Sequence, residues 1–447
     1  MEVVFISAKS KFNRLDPDKV ILLVVLLALI ERVVMFFIIG AGVVGDSDDV
    51  AYIQSGIVFA NTGVISVWSD YPPAKIMPGM PVLCGIFSLI FGEGSAYINA
   101  TRCFMIALGC TSVYVFYKAC CEIMPKWCAV FASLSFLLPN WAWSDNNILT
   151  EPPYMLFYLI TILYTFRMGN EDTPSRRSIV GYTFGFMMAL MFRANILTMP
   201  IFTAVYLLIF KKRPIKSLIR PALVLLCTLL VFIVPWSVRN YKLFGEFIPI
   251  TNGAANPTLL GTYQGKTAPQ DSELDYETNV YTVIREQYSD YYNPDGTLKD
   301  FSSGEYISDK IDRLKAEYRL QEWFKRDPKG LIWSYLVSKP ACMINWVWEW
   351  LPNPALYNTL HYISCVNFAC CIISFALAFV MKQQRGISLF LALIYWVNIY
   401  VFAFSFASER YSAMLVPFRY MLCGIGLYLV VELARKITAA RKLRTGG

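Results

Sequence analysis

Two adjacent acids, Asp48 and Asp49, follow the first long apolar segment of the chain and open a short amphipathic stretch. If that segment crosses a membrane, both carboxylates lie where water meets the lipid headgroups. A carboxylate at this depth can take a proton from a hydroxyl that attacks a centre carried on a lipid phosphate. Asp48 is the first candidate for such a base, Asp49 the second and Asp46 the third. A structural interpretation stays open, since Ser47 could cap a helix whose positive end favours the acids.

Other acid–base chemistry is scarce in this chain. His361 is the only histidine among 447 residues, so histidine-dependent nucleophile triads and His-rich metal sites are excluded. The twelve cysteines fall mostly within apolar segments and form no CxxC pair, which indicates packing rather than redox or zinc chemistry. Asp or Glu must therefore supply any base. The sequence leaves open whether a divalent cation joins these carboxylates.

Composition places the chain in the membrane class, with 56% hydrophobic residues and a mean hydropathy of +0.46. Crossing roughly 30 Å of hydrocarbon takes about 20 apolar residues in a helix. We therefore expect an all-α polytopic membrane protein with about ten transmembrane helices. The expected spans are Val20–Val44, Ser95–Val115, Trp127–Trp141, Pro152–Tyr164, Ser178–Phe192, Asn195–Phe210, Ile219–Trp236, Tyr357–Val380, Ile387–Phe406 and Tyr411–Leu433.

Lysine and arginine residues in the short connections predict the orientation of the chain. They place both termini in the cytoplasm and two loops, 45–94 and 237–354, outside. The chain then divides into an N-terminal module, 1–236, the large outer loop, and C-terminal helices with a basic tail, 355–447. The apolar segment Pro78–Gly92 is shorter than a usual span, so we expect a re-entrant or surface helix. The net charge of +8 is thus a topology signal, and no basic–aromatic patch indicates nucleic acid.

Four cations break this pattern of inward positive charge, because the predicted topology puts them at or near the outer interface. They are Lys75, Arg193, Arg239 and Arg410. Arginine pairs well with phosphate, since its planar fork donates two parallel hydrogen bonds. A polyprenyl-phosphate sugar would carry its phosphate at this depth, so we predict that the four bind a donor phosphate. The alternative is that each extends to the interface or pairs with a local acid, as Glu409 beside Arg410 would allow.

Charges inside the expected spans have a different interpretation. Glu31, Arg32, Arg102 and Arg419 each cost at least about 2.5 kcal/mol on insertion scales, so they should face protein or a wet cavity. We expect structural ion pairs. Adjacent residues on a helix do not face each other, so Glu31 and Arg32 should have separate partners.

The outer loops contain further signals. Glu151 follows Leu149 and Thr150 in a short outer loop, where it could bind acceptor or sugar hydroxyls. An equally economical interpretation is structural: Thr150 caps a helix that has prolines in its first turn. In the second loop, the sequence Asn-Pro-Asp-Gly at 293–296 predicts a turn. A surface helix is predicted by Ile307, Ile311, Leu314 and Tyr318. An interfacial aromatic belt is predicted by Trp346, Trp348 and Trp350.

Several short motifs follow one another in a fixed order along the chain. They are Gly45–Tyr52, Pro78–Pro81 with Phe91-Gly92, Leu149–Glu151, Arg193, Val234–Tyr241 with Phe244-Gly245, Thr251–Asn256 and Arg410-Tyr411. Together they resemble the GT-C glycosyltransferases, and most of all the branch of protein O-mannosyltransferases and lipid A aminoarabinose transferases. There the first loop reads acid-acid-x-x-aromatic, followed by a Pro-rich short helix that ends in Phe-Gly. The C-terminal third matches only loosely.

The resemblance implies an inverting transfer of a sugar from a polyprenyl-phosphate donor to an acceptor outside the membrane, with a bacterial inner membrane as the expected setting. Asp48 matches the catalytic acid of the first loop, and Lys75 and Arg239 fall near positions that contact the carrier phosphate. The expected contacts to acceptor or sugar are Glu151, Asn240 and Tyr411. The chain has Asp49 where Glu is common and has no appended sugar-binding domain, so the acceptor stays open.

Three other classes of function remain open. A multi-span transporter or flippase would usually show inverted repeats and interrupted helices, and no such symmetry is found. An O-antigen polymerase or ligase would depend on a later loop. A membrane scaffold gives no reason for four outward cations opposite an acidic first loop.

Overall fold

The computed structural model describes residues 15–45, 48–67, 72–345, 347 and 354–444. Several residues on which the sequence predictions depend, including the basic residues before the first span that predict a cytoplasmic N-terminus, lie outside the described residues. These are the basic N-terminal residues Lys9, Lys11 and Arg14, the candidates Asp46 and Ser47, and the tryptophans of the expected aromatic belt, Trp346, Trp348 and Trp350.

The described part of the chain is helical and contains no β-strand beyond one isolated bridge between Tyr292 and Leu298. The helices of the first half are α1 (Pro17–Ile39), α2 (Asp48–Thr62), α3 (Gly79–Phe91), α4 (Ser95–Cys121), α5 (Lys126–Ser133), α6 (Pro139–Asp145), α7 (Glu151–Asn170), α8 (Arg176–Phe192), α9 (Met199–Val205) and α10 (Lys216–Phe244). Those of the second half are α11 (Ala255–Gly261), α12 (Val283–Gln287), α13 (Phe301–Arg326), α14 (Pro328–Trp333), α15 (Lys339–Ile344), α16 (Pro354–Val380), α17 (Arg385–Ala403), α18 (Glu409–Ser412) and α19 (Val416–Arg444). The expected all-α polytopic architecture is confirmed.

Six helices in the described residues are long and apolar enough to cross a membrane: α1, α4, α10, α16, α17 and α19. The other four expected spans coincide with α7, with α8 and with two interrupted helical segments. One of these continues from α5 through a 3₁₀ turn at Leu134–Leu137 into α6. Leu138 has an extended backbone there because it precedes Pro139, which disfavours the helical conformation. A continuous helix over 127–141 was therefore the wrong expectation, whereas the short apolar helix after Pro78 is confirmed as α3.

The core of the bundle is formed around α7, which is buried along most of its length between α4 and α8. Close approach to α8 depends on a small residue, because a Cβ on Gly185 would lie 2.9 Å from the backbone nitrogen of Thr161. Small residues allow helices in membranes to pack closely and so gain dispersion energy. This packing fixes the start of α7, where Glu151 lies.

The charged side chains expected within spans are held by the protein. Arg32 is fully buried, and its Nε lies 2.8 Å from Asp145. Its Nη1 is also 3.6 Å from Glu31, so the expectation of separate partners for these neighbours is wrong: the long side chains bend to one side of the helix and meet there. Arg102 donates to the backbone oxygens of Gly40 and Asn146.

The last of these charges, Arg419, likewise binds groups of its own bundle. Its Nε donates to Asn367 at 2.7 Å, and its Nη1 donates to the backbone oxygen of Ile344 at 2.7 Å. These bonds satisfy a guanidinium that would otherwise be costly in the bundle. Arg419 therefore joins α19 to α16 and to the end of α15.

The second loop folds back onto the first. The predicted turn is present, with Gly296 at a φ of +83° that favours glycine. The predicted surface helix is α13, and Ile307 is buried in a small core with Phe244 and Ala74. Ala74 also accepts a hydrogen bond from the backbone nitrogen of Asn252 at 3.0 Å. The two outer loops of the predicted topology therefore form one folded layer.

Candidate active site

A crevice of about 290 Å³ lies where α2, α7, α18 and both loops meet. We refer to it as the crevice. Its charged lining side chains are Asp48, Lys75, Arg193 and Arg410, and its aromatic lining side chains are Tyr52, Phe192, Phe402 and Tyr411. The candidate base and three of the four predicted phosphate-binding cations therefore lie around one cavity, although they come from four distant parts of the sequence.

Asp48 is the first residue of α2, where a carboxylate is favoured by the positive end of the helix dipole. Its side chain is 58% exposed, so the carboxylate stays accessible to a ligand. Arg410 donates to it from Nη1 at 2.8 Å. This charge-assisted hydrogen bond sets the direction in which Asp48 faces the crevice.

Glu151 links the arginines beneath Asp48. Its carboxylate is 3% exposed and lies 2.7 Å from Nε of Arg410 and 3.0 Å from Nη1 of Arg193. The second oxygen of Glu151 accepts from Nη2 of Arg410 at 3.3 Å, so the contact to Arg410 is a two-point contact. A buried carboxylate is tolerable only when it is paired in this way. Glu151 therefore positions both guanidinium groups rather than extending into the crevice.

The arginines remain charged in this arrangement. Burial alone would lower the pKa of Arg410, but the carboxylates of Glu151 and Asp48 raise it above its ordinary value. The pKa of Arg193 is also raised, since Glu151 outweighs the effect of burial. Three cations and two acids surround the crevice, which makes it a place where an additional anion is favoured.

Lys75 reaches the crevice from the first loop and is held by the second. Its Nζ donates to Ser308 at 2.6 Å and lies 3.4 Å from Glu305, both on α13. The backbone oxygen of Lys75 accepts from the hydroxyl of Thr251 at 2.9 Å. Gly253 packs against the same oxygen so closely that any Cβ would overlap it. The segment 251–253 thus fixes the position of Lys75.

Tyr411 forms an aromatic side of the crevice. The guanidinium carbon of Arg193 lies 5.1 Å from the centre of its ring, and the ring stacks on Phe402 at 5.3 Å. Asn195 also lines the crevice, and its side-chain oxygen is buried and accepts no hydrogen bond within the described residues. The sequence analysis missed Asn195, Thr251 and Gly253 as site residues. The motif Thr251–Asn256 was the only signal, and it suggested no role.

Arg239 and Asn240 do not line the crevice. Arg239 donates to the backbone oxygen of Pro73 at 3.0 Å and to Asn240, and its guanidinium lies 4.7 Å from the ring centre of Trp236. Asn240 is fully buried and donates to the backbone oxygen of Ile248 at 2.7 Å. Arg239 instead lines a neighbouring apolar groove of about 790 Å³ beside α10. Pro72 lines this groove and Lys75 lines the crevice, so the segment 72–75 contributes to both cavities.

Asp49 also faces away from the lining of the crevice. It is 3% exposed, and its carboxylate accepts hydrogen bonds from the backbone nitrogens of Gly45 and Val50. The contact with Gly45 fixes the segment that leads into α2. Among the described residues no group of three or more His, Cys, Asp or Glu side chains is placed to hold a metal ion.

Comparison with known proteins gives one sequence match and several partial structural overlaps. Residues 72–238 match the family model described as dolichyl-phosphate-mannose-protein mannosyltransferase. No curated protein matches the chain by sequence.

The solved structures that overlap the chain share little sequence with it. ArnT from Cupriavidus metallidurans bound to undecaprenyl phosphate has 15% identity and a TM-score of 0.43, with 95% of this chain and 80% of ArnT covered. The Archaeoglobus fulgidus oligosaccharyltransferase in the apo form has 12% identity and a TM-score of 0.47, with 97% of this chain covered. This chain spans about half the length of that enzyme, with 52% covered. At TM-scores below 0.5, neither overlap carries an argument about this chain.

The matched segment contains Lys75, Glu151 and Arg193, which are three of the charged residues around the crevice. The family match and the helical membrane architecture together support a membrane glycosyltransferase. Over residues 72–238, the chain carries the sequence pattern of the dolichyl-phosphate-mannose-protein mannosyltransferases, so the resemblance to the protein O-mannosyltransferases is confirmed for this segment.

Proposed function

We propose that this protein transfers a sugar from a polyprenyl-phosphate donor to a hydroxyl of an extracytoplasmic acceptor by an inverting single displacement. The observation that supports the proposal best is the placement of Asp48 beside Arg410, Arg193 and Lys75 around one crevice. An accessible carboxylate opposite three cations is what the reaction requires. The base serves the acceptor, and the cations serve the leaving phosphate.

The reaction breaks the bond between the anomeric carbon and the phosphate oxygen. The electron pair of that bond stays on the lipid phosphate, whose growing charge is stabilised by Lys75 and by the guanidinium groups of Arg193 and Arg410. The acceptor oxygen forms the new bond to the anomeric carbon from the opposite side, and its proton passes to Asp48. Attack from the opposite side inverts the configuration of the sugar.

The donor chain has a suitable place next to the crevice. The groove beside α10 is lined mainly by apolar side chains, among them Val231, Phe232 and Trp236. A hydrocarbon chain in it would leave water without losing hydrogen bonds. Arg239 and Lys242 at this groove are the cations nearest to such a chain. Arg239 then assists the donor indirectly, through its hydrogen bond to Pro73 in the loop that presents Lys75.

The predicted topology supplies the cellular side of the proposal. The basic connections predict that both termini lie in the cytoplasm, and the crevice would then open on the opposite face of the plasma membrane. Donor and acceptor then meet outside the cytoplasm, where soluble nucleotide sugars are absent and a lipid-linked sugar serves as the donor.

Reconstitution tests the proposal directly. Purified protein in lipid is offered a panel of polyprenyl-phosphate hexoses and pentoses with candidate acceptors, and products are identified by mass spectrometry. We expect one donor class to give a glycosylated product or, without acceptor, free sugar and polyprenyl phosphate. A parallel reaction with a chelator decides whether a divalent cation takes part. Absence of turnover with every donor, together with substrate flux across proteoliposomes, would show a transporter instead.

A further inference from the structure

A second polar cavity, of about 460 Å³, lies between the segment 246–258 and α13. We refer to it as the polar groove. Thr251 lines both the polar groove and the crevice, so the two cavities are direct neighbours. Lys75 marks the same boundary, since its ammonium group in the crevice donates to Ser308 on α13. A molecule bound in the polar groove would therefore extend toward Asp48.

Asp309 is the unusual residue of this groove. It lines the groove, is only 7% exposed, and accepts no hydrogen bond from any residue in the described ranges. Burial raises the pKa of its carboxyl group, while Lys310 and Lys75 oppose that effect. A largely buried carboxylate that receives no hydrogen bond from the protein is stabilised when a ligand donates one to it. Asp309 is thus an acceptor of hydrogen bonds that the chain itself does not use.

A second acceptor in the groove has the same property. The side-chain oxygen of Asn252 is buried and accepts no hydrogen bond within the described residues. The remaining charges of the groove are mostly paired: Lys310 lies 2.7 Å from Glu246, and Arg313 lies 3.2 Å from Glu317. The groove therefore offers two acceptors without donors beside cations that can still donate.

From this arrangement we propose that the polar groove binds a carbohydrate acceptor, whose hydroxyls donate to Asp309 and Asn252 and accept from Lys310. The inference rests on the proposed glycosyl transfer and names the class of its acceptor. A sugar hydroxyl both donates and accepts, so neighbouring hydroxyls on one ring can satisfy acceptors and donors together. The attacking hydroxyl then lies on the part of the acceptor that passes Thr251 into the crevice.

The shape and chemistry of the groove favour a carbohydrate over a peptide. Peptides are recognised by strand addition to a sheet edge, by an apolar groove or by an aromatic-lined groove. The described residues form no sheet, and the polar groove is lined by charged, amide and hydroxyl side chains together with apolar ones that include Phe247, Ile248 and Leu320. A volume of about 460 Å³ lies within the range of pockets that enclose small ligands.

Binding without a donor tests the inference independently of catalysis. Protein in nanodiscs is titrated with methyl hexopyranosides and with disaccharides, and saturation-transfer NMR gives the affinity. A blocked serine- and threonine-containing peptide is the competing probe. We expect saccharide binding that Asp309→Asn weakens about 10-fold or more, since hydrogen bonds to charged groups contribute about 1.5–3 kcal/mol. Asn252→Ala should weaken saccharide binding as well. If Asp309→Asn fails to fold, Asn252→Ala alone tests whether the saccharide binds in the polar groove.

The matched control is Asp312→Asn, which makes the same change on the same helix. Asp312 accepts from Asn256 at 3.0 Å and does not line the groove. The Asp312→Asn variant should bind the saccharide with unchanged affinity. The inference is overturned if no saccharide binds the wild type, if both groove variants bind as well as the wild type, or if the peptide alone binds in an Asp309-dependent manner. If the protein hydrolyses the donor but binds no saccharide, the proposed sugar transfer is retained and a carbohydrate acceptor in the polar groove is rejected.

Discussion

Nη1 of Arg410 lies 2.8 Å from the carboxylate of Asp48, although 362 positions separate the two residues in the chain. The same guanidinium contacts Glu151 through Nε at 2.7 Å. One arginine therefore joins an accessible acid to a buried one.

Asp48→Asn should abolish sugar transfer without loss of expression or folding. The amide cannot take a proton from the acceptor, and general-base catalysis contributes roughly 10²–10⁴-fold to a rate. Initial rates of product formation in reconstituted protein measure the effect. Asp49→Asn is the matched comparison, because Asp49 binds backbone nitrogens at the approach to α2 and should retain most of the activity. Full activity of Asp48→Asn would refute the assigned role.

Glu151→Gln should destabilise the protein strongly. Arg193 and Arg410 would be left close together in a largely buried position without the carboxylate that compensates them. Breaking a buried ion pair from one side typically costs about 3–5 kcal/mol. The midpoint of thermal unfolding in detergent measures the loss. Glu322→Gln removes an ion pair at the surface of α13 and should cost far less stability than Glu151→Gln. Equal losses in the two variants would contradict the central position of Glu151.

Gly253→Ala should displace Lys75 while the fold is kept. A Cβ at this position would overlap the backbone oxygen of Lys75, so the loop must move away from Thr251. We expect the KM for the donor to rise about 10-fold, which corresponds to about 1.4 kcal/mol of lost interaction. Gly304→Ala is the control, since its Cβ would meet nothing closer than 3.6 Å. An unchanged donor KM in Gly253→Ala would show that Lys75 does not contact the donor.

Lys339 should make stability depend on pH. It is 2% exposed, and burial lowers the pKa of its ammonium group to about 7 from 10.5. Between these pH values the unfolded chain binds more protons than the folded chain, so stability should rise as pH increases from about 7 to about 10.5. Below that window the folded protein carries the full cost of the buried charge. Thermal unfolding from pH 6 to pH 10 measures the slope.

Lys339→Met tests the origin of this slope, because it keeps a long side chain and removes the charge. The variant should be the more stable protein at pH 6 and should lose most of the rise with pH. A slope that persists in Lys339→Met would assign the dependence to other groups.

Hydropathy predicted the helices well and their interruptions poorly. The apolar length of a segment determines whether it can form a span, so α1, α4, α10, α16, α17 and α19 follow from composition. The break at Leu138 depends on one proline within an otherwise apolar run, and a window average does not detect it. Local backbone chemistry decided the conformation there.

The sequence predicted the depth of the candidate residues along the membrane normal, but only partly the direction in which their side chains face. Charge patterns along the sequence place Arg239 at the same level as Arg193, yet they contain no information about its position around the bundle. Successive residues on a helix differ by about 100° in direction, so Asp48 and Asp49 face different environments. For the same reason Arg239 can lie at the predicted depth in the membrane while its side chain is directed away from the crevice. Only the packed structure shows which side chains meet.

Glu151 is synthesised 259 residues before Arg410. During biogenesis it has Arg193 as its early counter-ion, and α16 and α17 must be synthesised before the second guanidinium follows in α18. A nascent chain therefore cannot orient Asp48 through Arg410 until α18 has been synthesised. The charges around the crevice are thus brought together only after both halves of the membrane bundle have been made.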